Sequence, residues 1–139
     1  MKKVLVLGSS NTSAIAHAYL EKFKKCKAEI NCAGMEANTI NQKIIDVMQA
    51  EGIDITYYSN NNFNDYLTIH FDYILIVSDE AKQIALPFNK EALRFDYHFN
   101  DAAKIIGSEE DIQQQFIDLR DTIKQYIERF CKMYLNEWQ

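Results

Sequence analysis

The sequence predicts an α/β protein in which helices cover a parallel β-sheet. Short apolar runs alternate along the chain with segments that repeat apolar residues at helical spacing. Two of the runs, residues 3–7 and 72–77, are almost continuously apolar, as strands buried on both faces require. The composition agrees, since the 139 residues are 47% hydrophobic and include only four glycines and one proline. Disordered and fibrous classes are therefore excluded.

Local signals place the elements of the first half of the chain. After the first strand, a helix is predicted over residues 12–25, where apolar residues recur on one face. A second strand is predicted over 28–33. The segment 38–41 (NTIN) supplies polar groups for the N-terminal cap of a helix near 42–51, and Gly52 ends that helix.

The second half begins with an extended segment at 53–57, a polar turn and a short amphipathic piece around 64–69. The clearest buried strand of the chain follows, and a loop over 78–90 leads to a weaker strand near 93–97. A long closing helix starts at Ser108, where a serine followed by three acidic residues resembles a capping box. The sequence thus predicts strands and helices in alternation up to its end.

Size and charge limit the compartment and the partners. No repeat, low-complexity tract or linker divides the sequence, so we expect one domain over residues 1–139. A net charge of -5 and a pI of about 5.2 leave no basic surface for nucleic acid or an acidic membrane. No signal peptide or membrane-length apolar run is evident, and the three cysteines form no Cys-x-x-Cys motif. We expect a cytoplasmic protein without a nucleic-acid or membrane partner.

The polar loop after the first strand, residues 8–13, is the strongest functional signal. A strand that feeds a helix through such a loop directs backbone N–H groups and the positive helix end toward one point, which suits an oxyanion. The loop contains no cysteine, no histidine and no charged residue. It therefore offers an anion site without an evident catalytic group.

Several segments together resemble one protein family. Residues 32–56 (CAGMEANTINQKIIDVMQAEGIDIT), 71–77 (FDYILIV) and 98–130 (HFNDAAKIIGSEEDIQQQFIDLRDTIKQYIERF) follow the loop and its helix in the order found in low-molecular-weight tyrosine phosphatases. The most similar branch is the thioredoxin-coupled arsenate reductases, and the resemblance covers residue 3 to about residue 130. It implies a flavodoxin-like three-layer sandwich with a four-stranded parallel sheet.

The catalytic signature of that family is altered in this chain. The family has a nucleophilic cysteine, five residues, and an arginine that clamps the oxyanion and is usually followed by serine. The resemblance places the cysteine position at Gly8, the arginine position at Ala14 and the following serine position at Ile15. Asn11, which shapes the loop in the family, is retained, and Ser13 stands where many members have a second cysteine.

The other catalytic parts of the family are also incomplete. The general acid of the family is the aspartate of an Asp-Pro pair, which matches Asp101, although Ala102 replaces the proline. Arsenate reductases also use two cysteines after the buried strand to pass a disulfide outward. Residues 77–87 contain no cysteine, which excludes that relay.

These features favour a binding module. We expect a catalytically inactive relative that holds phosphate, sulfate or a phosphorylated ligand at the loop, with Asp101 as the one retained catalytic position. No cofactor is expected. No metal is expected either, because the three histidines are far apart in the sequence and lack ligand spacing. The expected ligand-binding residues are Gly8, Ser9, Ser10, Asn11, Thr12, Ser13 and Ala14.

Two alternatives stay open at this point. One is a weak or divergent enzyme like a phosphatase or an arsenate reductase, which uses Asp101 or a loop serine, with His17 one turn into the helix as the nearest base. The other is a scaffold that forms a homodimer or binds a protein partner. Its contact surface would be the tyrosines at 57, 58 and 66 or the apolar residues after 132.

Overall fold

The computed structural model describes these residues of the chain: 1–34, 40–56, 58, 61–66, 68–78, 81, 91–99 and 105–136. Within them, one parallel sheet has five strands in the spatial order β3–β2–β1–β4–β5. The strands are β1 (Lys2–Leu7), β2 (Ala28–Gly34), β3 (Asn61–Asn62), β4 (Tyr73–Ile76) and β5 (Leu93–Asp96). The predicted α/β class and the parallel sheet are confirmed.

The sheet has one strand more than the four that the resemblance implied. The additional strand, β3, is two exposed asparagines that pair with Ala33 and Gly34 at the edge of the sheet. Such residues carry no apolar pattern, so the sequence predicts a turn there. Conversely, residues 53–56 of the predicted extended segment form no strand, because the Asp54 carboxylate accepts hydrogen bonds from the backbone and hydroxyl of Thr56 and closes a local turn.

The helices of the described residues are α1 (Ser10–Phe23), α2 (Gln42–Gln49) and α3 (Glu109–Tyr134), with a 3₁₀ turn at Phe63–Tyr66. The caps of α2 and α3 are the predicted ones. The Asn41 side chain accepts the Lys43 N–H at 2.8 Å, and the Ser108 hydroxyl accepts the Asp111 N–H at 3.2 Å. No helix of these residues combines the length and the apolar character needed to cross a membrane.

Strand β1 explains the three-layer arrangement. Val4 and Val6 are fully buried on the face that α1, α2 and α3 cover. Leu5 and Leu7, which point the other way, are fully buried in a second core with Phe71. Because both faces of the strand are covered, its sequence is continuously apolar. The sheet is the middle layer, and its carboxyl edge presents the loop that follows β1.

Candidate functional site

The loop between β1 and α1 lies at the carboxyl edge of the sheet, between the ends of β2 and β4. The Gly8 N–H donates to the Ala33 carbonyl at 3.2 Å, and the Val77 N–H donates to the Leu7 carbonyl at 2.8 Å. These bonds bring the first residue after β4 against the start of the loop. In parallel α/β sheets, the loops at this edge hold the ligands.

Helix α1 begins earlier than predicted. Its first residue is Ser10 and its N-cap is Ser9, so most of the predicted polar loop forms the first turn of the helix. The Ser13 N–H donates to the Ser9 carbonyl at 3.0 Å, which starts the helical hydrogen bonds there. The Ser9 hydroxyl pairs with the Thr12 hydroxyl at 3.1 Å and makes no capping bond. The main-chain N–H groups of the first turn are therefore not capped by Ser9.

Three serine hydroxyls around this turn are buried and unsatisfied. The Oγ atoms of Ser10, Ser13 and Ser78 are shielded from solvent and have no hydrogen-bond partner within the part of the chain that the structure describes. Ser10 is 1% exposed and Ser13 is fully buried. Most buried hydroxyls in proteins are hydrogen-bonded, and leaving one unpaired costs about 1–3 kcal/mol. Gly8, Ser10, Ser13 and Ser78 are referred to below as the β1–α1 site.

Gly8 is packed too closely to carry a side chain. A Cβ atom at this position would lie 2.6 Å from Cγ2 of Val77, and 3.3 Å from both the Ser13 Oγ and the Ser78 N. A contact of 2.6 Å is far inside van der Waals distance, and a branched valine side chain has few rotamers into which it can retreat. The space in which a side chain at position 8 would begin is thus occupied by a methyl group of Val77.

Tyr58 connects the site to the buried Cys32. Burial and the nearby Cys32 thiol raise the pKa of Tyr58 above its ordinary value, and the Ser13 hydroxyl opposes this shift. The Ser13 Oγ lies near Tyr58 but makes no hydrogen bond of acceptable geometry to any described residue. Burial also raises the pKa of Cys32 to about 12, so this cysteine is a neutral thiol at neutral pH.

His17 faces the same tyrosine. Its ring centroid lies 5.9 Å from that of Tyr58, and its Nε2 lies 3.9 Å from a carboxylate oxygen of Glu21. Burial lowers the pKa of His17, with Glu21 opposing and Lys24 adding to the shift. Because its pKa is lowered, the His17 imidazole is neutral at pH 7.

The remaining predicted site residues lie in different surroundings in the structure. The Asn11 side chain accepts the Asn41 N–H at 2.8 Å and so ties the first turn of α1 to the cap of α2. Ala14 is 1% exposed and belongs to the core on the helical face of the sheet. Asp101 lies outside the described residues. Among the described residues, no group of three or more histidines, cysteines or carboxylates is arranged to hold a metal ion.

Sequence reasoning missed Val77 and Ser78. They are about 70 residues from Gly8 in the sequence, and only the register of β1 with β4 brings them to it. A signal was available, because Ser78 directly follows the clearest buried strand, at the edge where ligand loops occur.

Comparison with known proteins agrees with the fold and the motifs. The chain is 28% identical over 130 residues to the arsenate reductase of Halalkalibacterium halodurans, and the match covers 92% of both proteins. It is 27% identical over 128 residues to the arsenate reductase of Oceanobacillus iheyensis, again with 92% of each chain covered. These matches support the resemblance to arsenate reductases and low-molecular-weight phosphatases. No protein-family profile matches the chain.

Solved structures of the arsenate reductase and phosphatase family share the fold. An arsenate reductase in its phosphate-binding state superposes with a TM-score of 0.77 at 17% identity, over 96% of this chain and 98% of the other. The YwlE arginine phosphatase, as a mutant with a phosphorylated active-site serine, superposes with a TM-score of 0.70 at 14% identity, over 96% and 95% of the two chains. The chain therefore shares the fold of these proteins around the β1–α1 site.

Proposed function

We propose that this chain is a non-catalytic member of its family that binds inorganic phosphate, sulfate or a phosphorylated ligand at the β1–α1 site. One observation supports it above the others. The position of the nucleophile is closed by the Val77 methyl group, while three buried hydroxyls around the same helix turn lack partners among the described residues. Hydroxyl groups and a helix N-terminus can bind an oxyanion. A serine hydroxyl does not attack the bound oxyanion unless a base activates it.

The catalytic deficit concerns both essential groups. Position 8 is glycine and position 14 is an alanine packed in the core, so the chain lacks the thiolate and the guanidinium at the places where the resemblance puts them. The pKa of Cys32, at about 12, leaves it uncharged and a poor nucleophile. Loss of a single oxyanion donor costs about 2.7–4 kcal/mol of barrier, and loss of the nucleophile typically costs more.

Loss of the thiolate together with the arginine changes the net charge at the loop very little, so anion binding keeps much of its electrostatic support. A thiolate repels an incoming oxyanion and an arginine attracts it, so removing both leaves the net charge of the loop unchanged. What remains is the positive end of α1 together with the hydroxyls of Ser10, Ser13 and Ser78. Hydrogen bonds from neutral donors to an anion are the stronger kind, at about 1.5–3 kcal/mol each. The phosphate-binding state of a structural neighbour supports phosphate as a first ligand to test.

Thermal unfolding of the full chain with increasing phosphate tests the proposal, with sodium chloride of equal ionic strength as the reference. A ligand that binds the folded state alone stabilises it by about 2.7 kcal/mol at a hundredfold excess over Kd. The Ser10→Ala and Ser13→Ala variants separate this binding from the general stabilising effect of phosphate salts. Each variant is expected to be at least as stable as the parent without phosphate, since an unpaired buried hydroxyl has been removed, and to lose most of the phosphate-dependent gain.

Ser108→Ala is the matched control. It removes the hydroxyl that caps α3, so it lowers stability by about 1 kcal/mol and leaves the response to phosphate unchanged. Equal phosphate responses in the parent and in both site variants would contradict binding at this site. Hydrolysis of an aryl phosphate by the parent that is lost in Asp101→Asn would contradict the non-catalytic part of the proposal.

A further inference from the structure

Two of the three cysteines lie at the opposite end of α1 from the β1–α1 site. Cys26 is partly exposed in the connection between α1 and β2. Cys131 is 2% exposed, in the last turn of α3. Cys131 belongs to the core on the helical face of the sheet, and Cys26 packs against that core.

A main-chain bridge holds the two segments together. The Lys25 N–H, one residue before Cys26, donates to the Leu135 carbonyl at 2.7 Å. The Leu135 N–H in turn donates to the Cys131 carbonyl at 2.9 Å. The segment that carries Cys26 and the end of α3 that carries Cys131 therefore meet at Leu135. Burial raises the pKa of Cys131 to about 12, and the charge of an ionised Cys26 adds to this rise, as it does only at short range.

We propose that Cys26 and Cys131 form an intramolecular disulfide when the protein meets hydrogen peroxide. The thiolate of Cys26, the more accessible of the two, attacks one peroxide oxygen; the O–O bond breaks, hydroxide leaves, and Cys26 becomes a sulfenic acid. The sulfur of Cys131 then attacks the Cys26 sulfur. The S–S bond forms, the S–O bond breaks, and the oxygen leaves as water with the thiol proton. In sum, two thiols and one peroxide give one disulfide and two water molecules.

The order of attack follows from burial. Peroxide reacts with thiolates, and Cys131 is both shielded and held as the thiol at neutral pH. It is therefore the resolving cysteine, placed where solvent does not compete for the sulfenic acid. The disulfide would join the end of α1 to the end of α3, about 20 Å along α1 from the β1–α1 site. It closes a long loop of the chain, so it raises the unfolding temperature.

Peroxide treatment of the full chain, followed by intact mass and peptide mapping under non-reducing conditions, tests this. The expected product has lost two hydrogen atoms, contains a Cys26–Cys131 linked peptide, unfolds at a higher temperature and reverts with a thiol reductant. Cys26→Ser and Cys131→Ser are expected to abolish the product. Cys32→Ser, at the third and equally buried cysteine, is the matched control and is expected to retain it.

Three results would overturn the proposal: a link that involves Cys32, a product in which Cys26 alone gains oxygen atoms, or a Cys26–Cys26 link between two chains. This test is independent of the proposed function. The phosphate response is expected to be the same in the reduced and the oxidised protein, because the disulfide and the β1–α1 site are at opposite ends of α1.

Discussion

Gly8 and Val77 meet where β1 and β4 end, and their contact decides what position 8 can hold. A Cβ atom added to Gly8 would lie only 2.6 Å from the Val77 Cγ2. Any side chain at position 8, a cysteine included, must displace the valine methyl or move the backbone. The two residues are thus expected to be coupled, because a side chain at position 8 and the Val77 methyl group would compete for the same space.

A double-mutant cycle measures this coupling. Gly8→Ala is expected to lower the free energy of unfolding by about 1–3 kcal/mol, because the new methyl group overpacks the site. Val77→Ala alone is expected to be destabilising as well, since it leaves a cavity. The double variant is expected to be more stable than the sum of the two predicts, by about 0.5–3 kcal/mol in urea unfolding. Simple additivity would show that the two side chains do not compete for the same space.

At the scale of elements, a polar cluster joins α2 to α3. The Lys124 ammonium lies 2.8 Å from a carboxylate oxygen of Glu51, just after α2, and the Arg120 guanidinium donates to the Val47 carbonyl at 2.9 Å. The arginine thus satisfies a carbonyl at the end of α2 that the helix itself leaves without a partner. The Tyr19 hydroxyl donates to the same Glu51 oxygen at 3.4 Å, which brings α1 into the cluster.

This cluster predicts a pH dependence of stability. The hydrogen bond and charge of Lys124 lower the pKa of Glu51 in the folded state, with burial opposing. A carboxyl group with a depressed folded pKa stabilises the protein above its unfolded pKa of about 4.3, and this contribution is lost as the pH falls through the folded pKa. Glu51→Gln is expected to cost up to about 1 kcal/mol at pH 7, since the pair is partly exposed, and much less near pH 2.

Urea unfolding of the parent and of Glu51→Gln at pH 7 and near pH 2 measures the difference in their free energies of unfolding. Glu29→Gln is a matched control, because the Lys3–Glu29 pair is longer, at 3.8 Å, and more exposed. Its cost at pH 7 is expected to be smaller. A difference between parent and Glu51→Gln that stays constant from pH 7 to pH 2 would rule out the ion pair as its cause.

At the scale of the whole molecule, the sequence predicts the strands and helices that have a local residue pattern, and it does not predict contacts that depend on distant residues. Strands β1 and β4 are found because both of their faces are buried and their runs are apolar. Strand β3 is missed because two exposed asparagines have no pattern, and their pairing depends on the distant Ala33 and Gly34. The same limit applies to the β1–α1 site. Its helix and loop come from one short segment, whereas Ser78 joins them only through sheet register.

The end of α3 combines buried and exposed apolar residues. The sequence pattern after residue 132 is consistent with either a partner contact or packing on the body of the protein. Leu135 is fully buried, and the Tyr134 ring lies 5.0 Å from Phe95 and 5.4 Å from Tyr73. Tyr134 and Leu135 therefore pack on the body of the protein, while Met133 is 57% exposed and Trp138 lies outside the described residues. A homodimer or protein partner stays a prediction, and Met133 is the most exposed of the described apolar residues in this segment.

Leu135→Ala and Met133→Ala separate the two roles. Leu135→Ala is expected to lower the free energy of unfolding by about 2–5 kcal/mol, because it opens a cavity where α3 meets the end of α1. Met133→Ala is expected to change stability by less than about 0.5 kcal/mol, as surface substitutions usually do. Light scattering of the same proteins tests association: a mass above that of the monomer in the parent, reduced by Met133→Ala, would assign the exposed side chain to an interface between copies. If instead both variants lose several kcal/mol of stability, the boundary between core and surface at the end of α3 is misplaced.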